Sequence, residues 1–375
     1  MRSNHQVERT ANQLRCWLHS SLSSSAAAHL DRWASIYDRA YTNSPTCSTA
    51  TFPGVILTEL RLMLALVFRA IALLALTACS TTAISPVVPK HVAVEGDKLA
   101  YIEVGKGAPL ILVHGGLQDY RLWEPILGSL AERHRVIAYS RRNHFPNAVD
   151  AEGAPDGAAD IHAKDLADLV RGLNLGPVHV VGHSSGAVTA LHFAAAHRDL
   201  VRSMVLNEPP ATSLLAKAPG GLAMLKEQGA RLAPARDAFI VGDLQRAIRL
   251  FVDAIGGPGA FDRRPELGQR MALDNALSHR ADNTSKRPRP AFTCEDAKKI
   301  SAPVLLTRGA ESSRFFHAIV DELERCLPRR ESIVIPSASH TVPEEQPLQF
   351  ADAVRAFLSN QRDRWASRMD RVPIP

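Results

Sequence analysis

The pentapeptide Gly182-His183-Ser184-Ser185-Gly186 is the densest chemical signal in the chain. A serine hydroxyl is a weak nucleophile until a base takes its proton. Glycines two residues either side of Ser184 suit a tight strand-to-helix turn, where side chains would strike neighbouring backbone. The flanks agree: Val178–Val181 is a β-rich run leading in, and Ala187–His197 is an alanine-rich helical run leading out. A helix start beside the serine offers free N–H groups and partial positive charge where an oxyanion would form. The chemistry on offer is attack on a carbonyl.

The elements that must position this serine alternate along the chain. His91–Val94 and Leu99–Val104 flank the turn Glu95-Gly96-Asp97-Lys98 and read as a hairpin. Leu110–Val113 is a buried apolar strand ending at His114-Gly115-Gly116, and Arg135–Tyr139 is the next strand. Ile161–Leu173 places Ile161, Leu166, Leu169, Val170 and Leu173 on one helical face. Further strands follow at Val201–Leu206, Val304–Thr307 and Ser332–Ile335, with helices at Phe315–Leu327 and Phe350–Leu358. This rhythm predicts a mostly parallel eight-stranded sheet flanked by helices. Between residues 211 and 294 it breaks into helical patches, Leu222–Leu232 and Leu244–Ile255, separated by Gly/Pro clusters, which reads as a helical insertion.

Over residues 91–360 these motifs resemble the α/β-hydrolase superfamily of serine hydrolases, and the insertion resembles its helical caps. The resemblance makes Ser184 the nucleophile. It makes His340, in Ser337-Ala338-Ser339-His340-Thr341 after the last strand, the general base. His114-Gly115-Gly116 looks like the oxyanion loop, so the N–H of Gly116, with Leu117 as a further candidate, joins that of Ser185 around the oxyanion. His183 is then a neighbour of the elbow and not a catalyst. Ser140-Arg141-Arg142-Asn143-His144-Phe145 replaces the Asp-x-Arg-Gly-x-Gly loop of relatives; it offers Arg142 and His144 to the site, with packing the plainer reading.

The acid of the triad departs from the pattern. Relatives often carry aspartate three residues after the glycine that follows the penultimate strand, where this chain has Ser312 and, one residue early, Glu311. Other relatives keep the acid after the preceding strand, where Glu208 stands in Asn207-Glu208-Pro209-Pro210. A carboxylate between a buried strand and two prolines is an odd choice for solvation, so Glu208 is favoured and Glu311 is the alternative.

Composition bounds the rest. The chain has 375 residues, 46 % hydrophobic, and 44 basic against 38 acidic residues leave a net charge of +6. That excess is too dilute to imply nucleic acid. Leu62–Ala78 is apolar except for Arg69, and is shorter than the roughly 20 residues of a membrane span. Leu76-Thr77-Ala78-Cys79 resembles a bacterial lipobox, which predicts a signal peptide over 63–78, lipidation of Cys79 and a tether over 79–90. Met63 is then the expected initiator, and 1–62 a disordered or mistranslated extension. Residues 91–210 and 295–360 form the expected core, 211–294 the cap and 361–375 a tail. Cys294 and Cys326 are left either to pair in an oxidising envelope or to remain free buried thiols.

The expected protein is therefore a lipid-anchored hydrolase of the bacterial envelope, facing the periplasm or exterior. It acts on a small-molecule ester or related acyl bond and uses no metal or other cofactor. Carbon–carbon or lactone hydrolysis and cofactor-free peroxidation on the same machinery are alternatives. So is a non-catalytic envelope lipoprotein that uses the fold for binding.

Overall fold

The computed structural model describes residues 88–149, 158–285 and 287–369, with side chains as far as Gln361. The extension, the leader and Cys79 lie outside these residues. Eight strands form one sheet: β1 (Lys90–Val94), β2 (Asp97–Val104), β3 (Ala108–Val113), β4 (His134–Tyr139), β5 (Val178–His183), β6 (Val201–Asn207), β7 (Val304–Gly309) and β8 (Arg330–Ile335). Their spatial order is β1-β2-β4-β3-β5-β6-β7-β8, and only the pairings made by β2 are antiparallel. The opening hairpin is tighter than the four-residue turn expected, because Val94 pairs with Asp97 across Glu95-Gly96 and Gly96 takes φ 72°.

Parallel strands covered on both faces should be apolar throughout, and β5 is buried at all six positions. Alternation then divides each strand between two cores. In β3, Ile111 and Val113 face one cluster with α2 (Ala159–Gly172), α3 (Ser185–Ala196) and α11 (Arg314–Cys326). Leu110 and Leu112 face the other, with α1 (Glu124–Ala131) and α13 (Pro347–Met369). The tail expected over 361–375 is helical as far as Met369, and residues 359–369 hold no proline or glycine to stop it.

The insertion is helical. After the short α4 (Thr212–Leu215) come α5 (Gly221–Ile240), α6 (Leu244–Gly256), α7 (Ala260–Arg263), α8 (Glu266–Asp274) and α9 (Ala276–Thr284). Helix α5 continues past the expected end at Leu232 and through Pro234. An interior proline costs about 3 kcal/mol, but Ala235, Ala238 and Phe239 beyond it are buried, and that packing keeps the helix together. Phe239 and Leu117 of the core share a small apolar cluster, which seats the cap on the loop after β3.

The chain returns from the cap through α10 (Cys294–Lys298), and Cys294 is bonded to Cys326 at the end of α11. The bridge closes a loop of sequence separation 32, for which chain entropy gives about 3–4 kcal/mol. Replacing both cysteines with serine should lower Tm by about 6–10 °C in calorimetry. A change of under a degree would show that the bridge contributes nothing to stability.

Candidate active site

Ser184 follows β5 with φ 51° and ψ −123°, a conformation that L-residues avoid. The neighbouring elements hold it there. Its N–H donates to the Asn207 carbonyl on β6 at 2.9 Å, and its carbonyl accepts from Ala187 at 2.9 Å. A Cβ on Gly186 would lie 2.3 Å from the carbonyl oxygens of Val113 and His114, and one on Gly182 2.7 Å from Cα of Ala187. Both elbow glycines are therefore required by space.

His340 stands on the loop between β8 and α12 (Val342–Glu345). Its Nε2 is 2.9 Å from Ser184 Oγ, and its Nδ1 is 2.8 Å from Glu208 Oε2. Phe316 stacks on the imidazole at 3.8 Å with 15° between the planes, which fixes the ring's tilt. Glu208 is fully buried at φ 42°, and the Gly309 N–H donates to its second oxygen at 2.8 Å. Gly309 is glycine because a Cβ would lie 2.3 Å from the Ala338 carbonyl on the histidine loop. Glu311 holds the same loop by its N–H, donating to Ala338 at 2.9 Å, while its exposed side chain lines the cavity without bonding His340.

The serine opens on a cavity of about 1240 Å³ between sheet and cap. Gly116, Leu117 and Ser185 border it. The N–H groups of Gly116 and Ser185 have no protein acceptor among the described residues. The loop carrying Gly116 is itself held. The Gly115 N–H donates to Gln118 Oε1 at 3.0 Å, and Gln118 Nε2 donates to Glu344 at 2.6 Å. The cap reaches the same carboxylate through Arg264, which forks onto both Glu344 oxygens.

A family model described as the alpha/beta hydrolase family matches residues 110–353. The chain belongs to this family. It is 27 % identical over 267 residues to a 2-(acetamidomethylene)succinate hydrolase of Mesorhizobium japonicum, covering 68 % of this chain and 90 % of that protein. It is 26 % identical over 282 residues to an esterase of Mycobacterium tuberculosis, covering 73 % and 90 %. A solved esterase from Thermogutta terrifontis superposes with a TM-score of 0.56 at 23 % identity, covering 73 % of this chain and 99 % of that one.

In this alpha/beta hydrolase the loop after β4 sends neither Arg142 nor His144 to the cavity. Arg142 does not line the cavity; it turns away to bond both Asp165 oxygens, at 2.7 and 3.0 Å. His144 is buried behind the oxyanion loop, 3.1 Å from the Gly116 carbonyl. Arg141 is the loop residue that reaches the cavity wall. Sequence cannot say which of two adjacent arginines turns inward. His279 of α9 is also new: it packs over Gly116, edge-on to Phe251 at 4.2 Å, and neither ring nitrogen has a partner among the described residues. Burial pulls its pKa down to about 3, so the ring is neutral near pH 7. Burial, and then the nearby His340, likewise hold His183 well below the usual histidine value, and its Nδ1 lies 2.7 Å from the Asn207 side chain. It is a structural imidazole.

Proposed function

We propose that this chain is a serine hydrolase that cleaves a small-molecule carboxylic ester or related acyl bond through an acyl-enzyme. The observation that carries the reading is the hydrogen-bonded series Glu208–His340–Ser184 on the cavity floor. Ser184 Oγ attacks the carbonyl carbon while His340 Nε2 takes its proton. The carbonyl oxygen becomes an oxyanion held by the N–H groups of Gly116 and Ser185, with Leu117 next in reach along the loop. Collapse expels the leaving alcohol, which takes the proton from Nε2. Water then attacks the acyl-serine, gives a proton to the same nitrogen, and releases the acid as Ser184 is restored. Glu208 accepts from Nδ1–H throughout, holding the ring and stabilising the imidazolium. The names of the hydrolase and esterase relatives support the reaction class.

The second part of the proposal is location. Cys79 closes a lipobox-like Leu76-Thr77-Ala78-Cys79, and the Cys294–Cys326 bridge suits an oxidising compartment. We infer a lipid-anchored protein of the bacterial envelope.

Ser184→Ala should abolish labelling by a fluorophosphonate and lower kcat on short p-nitrophenyl esters by at least about 10⁴-fold. Glu208→Gln should cost about 10²–10⁴-fold, and Glu311→Gln less than about threefold. Labelling of the Ser184→Ala protein equal to wild type, or a larger loss from Glu311 than from Glu208, would reject this triad. For the location, mass spectrometry of the protein expressed in a bacterial host should find a diacylglyceryl group on an N-terminal Cys79. An unmodified chain beginning before Met63 would overturn it.

A further inference from the structure

Arg141 is 1 % exposed, yet among the described residues no carboxylate hydrogen-bonds to it. Its side-chain polar contacts all involve Nη2, which donates to the Gly115 carbonyl at 3.0 Å and to Ser185 Oγ at 3.1 Å and lies 3.3 Å from His144 Nε2. Nε is buried with no partner among the described residues. Asp282, which also lines the cavity, attracts the guanidinium. A buried cation held by neutral groups is costly, and this one also faces the positive end of α3. Burial accordingly disfavours its charged form. What it faces explains why the charge is there.

The Gly115 carbonyl and the Gly116 N–H belong to one peptide unit, and in a trans peptide they point in opposite directions. The carbonyl is held twice. The Arg141 N–H donates to His114 Nε2 at 2.9 Å, which leaves the proton on Nδ1, and Nδ1 donates to the Gly115 carbonyl at 2.8 Å. Arg141 Nη2 donates to the same oxygen. One residue thus sets the His114 tautomer with its backbone and anchors the carbonyl with its side chain. Fixing the carbonyl fixes the Gly116 N–H at the opposite edge of the same plane, and Gly116 lines the cavity. The same Nη2 holds Ser185, whose N–H is the other oxyanion donor.

We propose that Arg141 is a positioning residue for the oxyanion site: it orients and polarises the Gly115–Gly116 peptide, and its charge is met by the oxyanion that forms on the substrate. This rests on the serine-hydrolase reading above. Among the described residues the cation has no anionic hydrogen-bond partner; the tetrahedral intermediate places an anion just beyond the donors it holds. Its contribution grows as negative charge develops, so it acts on kcat more than on substrate binding.

The test is Arg141→Met and Arg141→Lys against wild type. The readouts are kinetics on a neutral p-nitrophenyl ester and on a carboxylate-bearing ester, and inhibition by an alkylboronic acid, which forms a tetrahedral anionic adduct. Arg141→Met should lower kcat on the neutral ester about 10²-fold with KM changed less than about threefold, and weaken the boronate in parallel. Arg141→Lys, which keeps the charge without the fork, should recover about tenfold of that loss. Should the Met variant fail to fold, the Lys variant decides alone: reduced kcat at unchanged KM supports the inference, and wild-type kcat overturns it. Loss confined to the anionic ester also overturns it, because Arg141 would then be binding a substrate charge. A Tm change with kcat and boronate affinity intact overturns it in favour of a structural role. A wild type that neither labels with fluorophosphonate nor turns over any ester fails on the function itself, a result distinct from these.

Discussion

A carboxyl group with no solvent exposure has to be met by hydrogen-bond partners, and Glu208 is met by two. One is the Gly309 N–H at the end of β7, and the other is the ring of His340 from the loop after β8. Those two partners come from consecutive parallel strands, so the pairing of β6 with β7 and of β7 with β8 sets the distance between Glu208 and His340. Gly309 lets the histidine loop close over the strand end, and Phe316 from α11 fixes the ring. Removing any of these contacts would leave a buried carboxyl group with too few partners. The geometry at Ser184 inherits its accuracy from this arrangement.

A parallel sheet delivers its strand ends to one edge, and there the described groups meet. Ser184 follows β5, Glu208 follows β6, Glu311 follows β7 and His340 follows β8. Two of these residues, Ser184 and Glu208, sit at positive φ on neighbouring strands and are joined through Asn207, whose carbonyl accepts from Ser184 N–H. Backbone strain is concentrated where side chains must project from a strand end. The cap adds a second constraint. Through Arg264, Glu344 and Gln118 it is tied by hydrogen bonds to the Gly115 N–H, so the cap and the loop after β3 are mechanically linked.

Much of this was legible in residue order. The sheet followed from apolar runs of strand length, because both faces of a covered parallel sheet must be apolar. Ser184 was legible because the elbow needs glycines at fixed offsets. The choice between Glu208 and Glu311 was open in sequence, since both follow strands and only register decides which carboxylate faces His340. Arg141 and His279 were hidden for a different reason. What sets them apart is what they lack among the described residues, a partner for Arg141 Nε and for both His279 ring nitrogens, and an absent partner leaves no pattern in the chain. The extent of α5 was also missed, because packing beyond Pro234 overrides a local rule.

The central claim is that Ser184 carries the acyl group. Its most direct measurement is rapid acid quench of a burst reaction with a slow-turnover activated ester, followed by intact and peptide mass spectrometry. The account predicts one acyl adduct per chain, on the peptide containing Ser184 and assigned by fragmentation to that residue, which disappears as substrate is exhausted. Turnover of the ester with no adduct at any time, or an adduct on Ser185 or another residue, would contradict it.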